Sequence, residues 1–327
     1  MQIDELARLI QKPKIPTAEE CARALPNYLV CTPYWGAVDM DHLDSVMAMR
    51  RLYPQLKSYR IQGCSYIDIA RATLCRQVEV GGYDGIMFID HDVVFWPPDV
   101  PQLIETAEAE ACVVSGIYSM RTTGDRMIGC FDASVKKVRC FEGGGLYPAP
   151  YSGLGFTAIP RKVLDDVGRD LPLLKTGFSE CRPMFALRCE ASDGWYSGED
   201  ISFFHRVKQA GHRLLCDTRP RLFHKGTYMY GLEDVQIAVP RARTLDLQLV
   251  PLDGENERPG LYAADAGRFV GSWSDNTSGE GAQRSGGPRE EFARMLSGPH
   301  GRGDPLSPER TVWALQQLEL VAKTAAE

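Results

Sequence analysis

Short apolar runs alternate with longer amphipathic stretches between residues 27 and 117. The apolar runs are continuous, which is typical of strands buried on both faces of a parallel sheet. The stretches between them carry apolar residues at helical spacing, such as Met40, Leu43 and Val46 or Met47 on one face. We therefore expect βαβ units. Their predicted order is strand 27–32, helix 39–52, strand 57–62, helix 65–80, strand 85–90, helix 99–108 and strand 111–116.

The pattern is less regular after residue 117, but it still predicts further elements. These are strands at 137–141, 155–159 and 213–217, helices at 160–167 and 199–211, and loops over 168–197. Two short helices are expected before the first strand, at 2–11 and 17–25, and Thr17 with Glu20 forms a capping-box pattern for the second. A last helix begins at Ser307. We expect it to dock on the body of the protein or on a partner, giving a homo-oligomer where that partner is a second copy.

These elements predict an α/β protein with a Rossmann-like, mainly parallel central sheet flanked by helices. We expect N-terminal helices over residues 1–26, the α/β domain over 27–250 and a C-terminal extension over 251–327. The run 253–288 is rich in Gly, Ser, Asn and charged residues. Such a run buries little apolar surface, so the extension is expected to be polar and partly flexible.

Composition and charge narrow the class of protein further. The chain has 44% hydrophobic and 24% charged residues, as soluble globular proteins do. Its net charge of −6, from 43 acidic and 37 basic residues, disfavours a protein that mainly neutralises nucleic-acid phosphates. The ten cysteines show no zinc-finger spacing, and several lie in apolar runs, as Cys31 and Cys112 do. Without a signal-peptide pattern or an apolar run of about 18 residues, a reducing cytoplasmic location is expected.

The strongest chemical signal is an acidic pair directly after the third predicted strand. Asp90 and Asp92 are separated only by His91, in the run FIDHDV. Ligands of open α/β sheets bind at the carboxyl ends of strands, and two carboxylates this close repel each other unless a cation is shared. Hard divalent cations bind carboxylate oxygens and also neutralise diphosphates. The pair therefore predicts a metal site; the alternative is a pair of solvated loop acids.

Two further signals are ambiguous when each is taken alone. Glu199 and Asp200 open a predicted helix after the run GWYSG, where acidic residues are also favoured by the helix dipole. His224 follows the strand at 213–217 in the run RLFHKG, and a lone histidine is more often structural than a ligand. These two signals become informative when their order along the chain is considered together with the acidic pair.

In that order, the segments resemble those of GT-A glycosyltransferases, which are metal- and nucleotide-sugar-dependent enzymes. The resemblance spans residues 27 to about 230 and rests on CTPYWG at 31–36, IDHDV as an Asp-x-Asp motif, GWYSGEDISFFHRVKQAG and HKG. The third segment is similar to the Gly-Glu-Asp segment of inverting members such as the β-1,4-galactosyltransferases. The resemblance implies a GT-A fold, a Mn²⁺ or Mg²⁺ ion, and a nucleoside-diphosphate sugar as donor, with a UDP-sugar as the first expectation.

The resemblance also implies a role for each matching residue. Asp92 and His224 would ligate the metal, and Asp90 would contact either the metal or the nucleotide ribose. Asp200 would be the general base, and Glu199 would orient a sugar. The other implied contacts are Thr32, Pro33 and Tyr34 at the nucleotide base, Arg71 at the diphosphate and Trp195 at a sugar ring. Arg71 could instead be an exposed helix arginine, and Trp195 a core residue.

Some parts of the chain have no counterpart in the family pattern. His91 is either a bystander or an additional polar contact. The stretch 118–152, with Arg121 and the glycine run 143–145, is expected to form part of the acceptor site or a lid. The acceptor is open between a glycan, a lipid carrier, a peptide, a small molecule and a modified nucleic-acid base. Inversion is favoured, although retaining members share the Asp-x-Asp motif and the late histidine.

Two other functions compete with glycosyl transfer. The run MFIDHDVV also resembles the start of haloacid-dehalogenase-like phosphatases, in which Asp90 would be the nucleophile. Their motif normally follows the first strand, whereas two βα units precede it here. The second competitor is a module that binds a nucleotide sugar without turnover. The joint presence of Asp90, Asp92, Asp200 and His224 favours an enzyme over such a module.

Overall fold

The computed structural model describes residues 16–121, 127–177, 179–190, 195–226, 229–232, 244–250 and 268–272. The helix predicted at 2–11 and the last helix, predicted from Ser307, lie outside these residues. The prediction of a homo-oligomer through that last helix therefore stays a prediction.

The described helices lie close to their predicted positions. Thr17 caps the first one through the expected capping box, because its hydroxyl accepts from the amide of Glu20 and the Glu20 carboxylate accepts from the amide of Thr17. The helices are α1 (Ala18–Ala22), α2 (Met40–Leu52), α3 (Ile67–Gly81), α4 (Asp99–Glu110), α5 (Arg161–Gly168) and α6 (Glu199–Gln209).

The strands include all those predicted and several short additional ones. In chain order they are β1 (Tyr28–Tyr34), β2 (Lys57–Gln62), β3 (Gly85–Ile89), β4 (Val93–Val94), β5 (Val113–Gly116), β6 (Tyr118–Ser119), β7 (Met127–Ile128), β8 (Lys137–Phe141), β9 (Leu146–Ala149), β10 (Phe156–Pro160), β11 (Leu174–Lys175), β12 (Glu180–Cys181), β13 (Arg188–Glu190), β14 (Trp195–Ser197), β15 (Leu214–Asp217), β16 (Phe223–Lys225), β17 (Met229–Tyr230), β18 (Thr244–Val250) and β19 (Arg268–Ser272).

The central layer is a seven-stranded sheet with the order β2-β1-β3-β10-β5-β15-β9. The pairings of β1 with β2 and β3 and of β5 with β15 are parallel, whereas β9 and β10 run antiparallel to their neighbours. Helices α3, α5 and α6 pack on one face of this sheet, and α2 and α4 pack on the other. The predicted Rossmann-like α/β fold with a mainly parallel central sheet is confirmed.

Burial on both faces explains the continuously apolar strands. In β3, Phe88 belongs to the core on the α3 side and Met87 to the core on the α2 side, as the alternation of side chains along a strand requires. The apolar face predicted for α2 is partly wrong, because Met40 and Met47 are exposed. The helix is rotated so that its buried stripe runs instead through His42, Val46, Met49 and Leu52.

The largest difference from the predicted elements is in 168–197, which was expected to be a loop. It contains two hairpins, formed by β11 with β12 and by β13 with β14. These strands, like β4 and β16, are too short to produce a hydrophobic period in the sequence. Strand β19 lies within the polar run 253–288 and pairs with β18, so strand pairing crosses the predicted boundary at residue 250.

Two further properties of the described residues concern membrane-spanning helices and cysteines. None of the helices in this part of the chain combines the length and the apolar character needed to cross a membrane. The cysteine side chains that the structure describes are free thiols in buried positions. They therefore act as small apolar residues of the core, as Cys31 and Cys112 were expected to do.

Candidate functional site

The predicted site residues gather at one edge of the central sheet. Asp90 directly follows β3, and its amide donates to the carbonyl oxygen of Gly155, just before the antiparallel β10 begins (2.9 Å). Tyr118 lies just after β5, and His224 lies on β16, which follows β15 along the chain. Because β3, β5 and β15 run in the same direction, their carboxyl ends share an edge, where open α/β sheets bind ligands.

A short strand pairing brings the Asp-x-Asp motif and the HKG segment together. Strand β16 pairs antiparallel with β4, placing His224 opposite Val93. The carbonyl oxygen of Asp92 accepts a hydrogen bond from the amide of Lys225 (2.7 Å). As a result, Nε2 of His224 lies 3.4 Å from Oδ2 of Asp92, and both residues are buried.

A hydrogen bond to the backbone fixes the orientation of the His224 ring. Its Nδ1 lies 3.0 Å from the carbonyl oxygen of Ser119. A carbonyl oxygen can only accept, so Nδ1 carries a proton and Nε2 is turned towards the Asp92 carboxylate. A histidine whose Nδ1 is tethered to a backbone carbonyl in this way is a common arrangement for metal ligation through Nε2.

Asp92 and His224 therefore fit as two ligands of a divalent cation. The described residues contain no group of three or more His, Cys, Asp or Glu side chains arranged to hold a metal ion. Asp90 does not provide a free third carboxylate, because Nη2 of Arg71 lies 3.0 Å from its Oδ1 and 3.2 Å from its Oδ2. A cation at this site would complete its shell with oxygens of a bound ligand and water, as Mg²⁺ commonly does.

Arg71 is buried, so the alternative of an exposed helix arginine is wrong. Only 3% of its side chain is exposed, and its guanidinium lies over the ring of Phe88 at 5.2 Å. Its Nε and Nη1 are buried and have no hydrogen-bond partner among the described residues. Burial opposes the positive charge, but the carboxylates of Asp90, Asp200 and Glu199 outweigh it and raise the pKa of Arg71. Arg71 is thus an ion-pair partner of Asp90, and its predicted contact with the diphosphate stays a prediction.

An aromatic series connects helix α6 to the strand that carries the acidic motif. Phe203 on α6 stacks on Phe185 with ring centroids 4.5 Å apart. Phe185 packs edge-on against Phe88 of β3 at 5.9 Å. All three rings are completely buried. This packing fixes the first turn of α6, with Glu199 and Asp200, relative to the edge of the sheet.

Glu199 and Asp200 lie in the first turn of α6 and are half-buried. Burial, together with the negative charge of Glu199, raises the pKa of Asp200 to about 7, while Arg71 acts in the opposite direction. The helix dipole alone would stabilise two ionised acids, so it does not account for this environment. A carboxyl group that ionises near neutral pH is suited to accept a proton from a hydroxyl group.

Tyr118 and Gly155 belong to the site, although no motif in the sequence points to them. Tyr118 is buried and packs edge-on against His224, with ring centroids 5.2 Å apart. A Cβ atom on Gly155 would collide with the Tyr118 hydroxyl and lie 2.8 Å from Oδ2 of Asp90, so no side chain fits there. Burial and the charges of Asp90 and Asp200 raise the pKa of Tyr118, which keeps its hydroxyl protonated. The available signal was that Tyr118 follows a strand ending at the same edge.

Arg121 belongs to the stretch 118–152, which was expected to form part of the acceptor site or a lid, and it contacts the acidic motif directly. Its Nη1 lies 3.0 Å from Oδ2 of Asp92, while 56% of its side chain is exposed. Burial would raise the pKa of Asp92, but the hydrogen bond and charge of His224, together with His91 and Arg121, outweigh burial and lower it. Asp92 is therefore ionised at neutral pH. His91 contributes to its electrostatic environment.

The residues predicted to border a nucleotide base end strand β1. Thr32 and Pro33 are buried, and Oγ1 of Thr32 lies 3.5 Å from Nε2 of His42. Tyr34 is half-buried, and the next residue, Trp35, is 63% exposed. Since β1 is parallel to β3, Tyr34 lies at the same edge of the sheet as Asp90. The side chain of Trp195 lies outside the described part of the chain.

The glycine run 143–145 is anchored to the body of the protein. The amide of Gly145 donates to Oγ1 of Thr218 at 3.0 Å. A Cβ on Gly144 would lie 2.9 Å from the carbonyl oxygen of Thr218, so this segment packs directly on the chain after β15. The alternative of a lid therefore does not apply to the glycine run.

A separate cavity lies at the opposite edge of the sheet. It has a volume of about 270 Å³ and is lined by charged residues that include Arg76, Glu79, Arg161 and Arg182. Arg161 follows the end of β10, which pairs with the first residue of β3. Asp90 follows the last residue of β3, so this cavity is distinct from the acidic site.

Comparisons with known proteins give only distant similarities. No protein-family model and no curated protein sequence matches the chain. Among solved structures, A197 from STIV is 21% identical, with a TM-score of 0.42 over 61% of this chain and 86% of that chain. GalNAc-T7, solved with UDP, GalNAc and Mn²⁺, is 12% identical, with a TM-score of 0.37 over 72% of this chain and 51% of that chain. Because both TM-scores are low, these similarities say nothing about function, which has to be inferred from the residues of this chain.

Proposed function

We propose that this chain is a GT-A glycosyltransferase that moves a sugar from a nucleoside-diphosphate sugar to an acceptor hydroxyl, with inversion at the anomeric carbon. The observation that carries the proposal is the convergence of Asp90, the Asp92–His224 pair and the Glu199–Asp200 pair around Arg71 and Tyr118. In this proposal, residues 27–250 form the catalytic domain, and 1–26 and 251–327 are accessory segments.

The donor would bind at the carboxyl edge of the sheet. Asp92 and His224 would hold Mn²⁺ or Mg²⁺, which supplies charge stabilisation for a departing diphosphate. The end of β1, with Thr32, Pro33 and Tyr34, would border the nucleotide base, since it lies at the same edge as Asp90. Asp90, held by Arg71, would accept from the nucleotide ribose.

The acceptor would bind on the side of helix α6. Asp200 would remove the proton from the acceptor hydroxyl, and its pKa of about 7 lets it be ionised at the pH of a cell while remaining basic enough to take a proton. Glu199 would orient the acceptor or the transferred sugar, and Trp195 would offer a ring face to a sugar. Because Asp200 would act opposite the leaving group in a single displacement, the proposed product has the inverted anomeric configuration.

The proposal is tested by a donor screen. Wild-type protein is incubated with UDP-, GDP- and dTDP-sugars in the presence of Mn²⁺, and release of the nucleoside diphosphate is measured. Release from one donor class, slow by hydrolysis and faster with a suitable acceptor, is the expected result. If circular dichroism shows that the protein is folded and no donor releases its nucleotide, the proposal is contradicted.

A phosphatase control separates the main competing function. A haloacid-dehalogenase-like enzyme would hydrolyse generic phosphomonoesters and would use Asp90 as nucleophile. The motif follows the third strand of the chain rather than the first, and both oxygens of Asp90 contact Arg71. We therefore expect no hydrolysis of p-nitrophenyl phosphate. Hydrolysis that is lost in Asp90→Asn would favour the phosphatase.

A further inference from the structure

Asp92 already has a cationic partner from its own chain. Its Oδ2 lies 3.0 Å from Nη1 of Arg121 and 3.4 Å from Nε2 of His224. The His224 ring donates from Nδ1 to the Ser119 carbonyl, which turns its Nε2 towards the carboxylate. The Arg121 guanidinium therefore places a positive charge at the carboxylate oxygen that faces His224. A divalent cation held by Asp92 and His224 would place its charge at the same oxygen.

Arg121 is placed so that it can leave this position. Its side chain is 56% exposed, whereas that of Asp92 is 11% exposed. The aliphatic part of Arg121 lies across Gly226, where a Cβ would be 3.3 Å from Cδ of Arg121. Gly226 directly follows β16, so the stem of Arg121 rests against the end of this strand, while more than half of its side chain is exposed. An exposed ion pair of this kind contributes little stability and exchanges readily.

The other guanidinium of the site has a different setting. Arg71 also contacts an aspartate of the motif, Asp90, but only 3% of its side chain is exposed. Removing one partner of a buried ion pair leaves an uncompensated buried charge, which is strongly unfavourable. Arg71 is therefore a permanent counter-ion of Asp90, and Arg121 is the exchangeable counter-ion of Asp92.

We propose that Arg121 is an internal competitor of the divalent cation: it neutralises Asp92 in the metal-free protein and is displaced from Oδ2 when the metal binds. This inference rests on the proposed function, since the cation is the one that the donor would require. The cost of displacing Arg121 lowers the affinity for free metal. The protein would thereby favour metal that arrives with a nucleoside diphosphate, whose negative charge can pair with the released guanidinium.

Calorimetric titration of Mn²⁺ without nucleotide tests this competition. The wild type is compared with Arg121→Met, which keeps the aliphatic stem and removes the charge. The matched control is Arg213→Met, because Arg213 is also exposed and ion-paired, with Glu110 at 2.7 Å, and lies immediately before β15, away from the site. Both variants change the net charge by the same amount, and circular dichroism verifies that each is folded.

We expect Arg121→Met to bind Mn²⁺ about two- to fivefold more tightly than the wild type, since an exposed ion pair is worth up to about this factor. Arg213→Met should match the wild type. The gain should shrink at high salt, because screening weakens the Arg121–Asp92 pair first. Equal or weaker binding by Arg121→Met overturns the inference, as does the absence of Mn²⁺ binding by all three proteins.

The two experiments distinguish a failure of this inference from a failure of the proposed activity. If the donor screen shows no turnover but Arg121→Met still gains affinity for Mn²⁺, the competition stands and the transferase proposal fails. If a nucleotide sugar is turned over and Arg121→Met shows no gain, the transferase proposal stands and the role of Arg121 is excluded.

Discussion

At the scale of single residues, Asp200 has the clearest consequence for activity. Burial and the charge of Glu199 raise its pKa to about 7, so its basic form is populated only around and above neutral pH. We expect the transfer rate to rise with pH through about 7 and Asp200→Asn to lower kcat by about 10²- to 10⁴-fold. Nucleotide release measured from pH 5.5 to 8.5 tests this. A matched control is Asp170→Asn, which should leave the rate unchanged because Asp170 is exposed. An unchanged rate in Asp200→Asn would exclude Asp200 as the general base.

The same substitution, Asp200→Asn, should lower activity but raise the stability of the folded protein at neutral and alkaline pH. The folded-state pKa of Asp200 lies above the unfolded value of about 3.9, so folding is disfavoured when this group must be ionised. That penalty is absent below about pH 4, grows as the pH rises towards 7, and is complete above it. Asp200→Asn should therefore raise Tm by about 2 °C or more at pH 8 and leave it unchanged at pH 4. A variant with lower Tm at pH 8 would contradict the sign of the pKa shift.

Gly155 gives a second prediction at the residue scale. Its missing Cβ leaves room for the Tyr118 hydroxyl and for Oδ2 of Asp90. Gly155→Ala should destabilise the protein by about 1–3 kcal/mol through overpacking and should reduce transfer, because Asp90 is displaced. Adding Tyr118→Phe removes the hydroxyl and should restore part of the lost stability. Thermal unfolding of the two single variants and the double variant measures this coupling, and strictly additive losses would exclude it.

At the scale of elements, the sequence predicts the parts of the site that adjoin a strand or helix with a clear hydrophobic pattern or a clear start. Asp90 and Asp92 were found because β3 is a clear apolar strand, and Glu199 and Asp200 because α6 has a clear start. Tyr118, Arg121 and the position of His224 depend on β4, β6 and β16, which are two or three residues long. Strands this short have no detectable period, so their pairing could be seen only in three dimensions.

Helix α6 gives a prediction that belongs to the element rather than to one residue. Phe203 stacks on Phe185 at 4.5 Å and thereby holds the turn that carries Asp200. Phe203→Leu should lower the free energy of unfolding by about 1–1.5 kcal/mol and also lower kcat, because a small displacement of a catalytic group is costly. The matched control is Phe131→Leu, since Phe131 packs edge-on against Tyr147 at 5.8 Å in a separate core cluster. A similar loss of stability with unchanged kcat is expected for it, and equal kcat in both variants would show that the stack does not position α6.

At the scale of the whole molecule, the sheet explains why residues far apart in sequence meet. The strand order places β3 next to β10 and β5 next to β15, so positions 90, 118, 155 and 224 come to one edge. The sequence predicted the fold class and this edge, because alternating strands and helices imply a parallel sheet. It did not predict the ion pairs of Arg71 and Arg121, since these depend on side-chain burial that a linear pattern does not encode.

The last prediction concerns the stability of the whole protein in the presence of its proposed ligands. A ligand that binds only the folded state raises stability by about 2.7 kcal/mol at a concentration of 100 Kd. Asp92 and His224 provide only two protein ligands, so a metal ion and UDP should each bind weakly alone and more tightly together. We expect Mn²⁺ with UDP to raise Tm by several degrees, and more than the sum of the two separate effects.

The control for this experiment is a second aspartate that lies outside the site. Asp92→Asn should lose the Mn²⁺-dependent part of the stabilisation, whereas Asp165→Asn should keep it, because Asp165 is paired with Arg161 at the opposite edge of the sheet. EDTA should reverse the effect in the wild type. Stabilisation by UDP that does not depend on Mn²⁺ would contradict the metal site while leaving nucleotide binding intact. Stabilisation without any turnover in the donor screen would favour the non-catalytic binding module, since folding linkage reports binding and not chemistry.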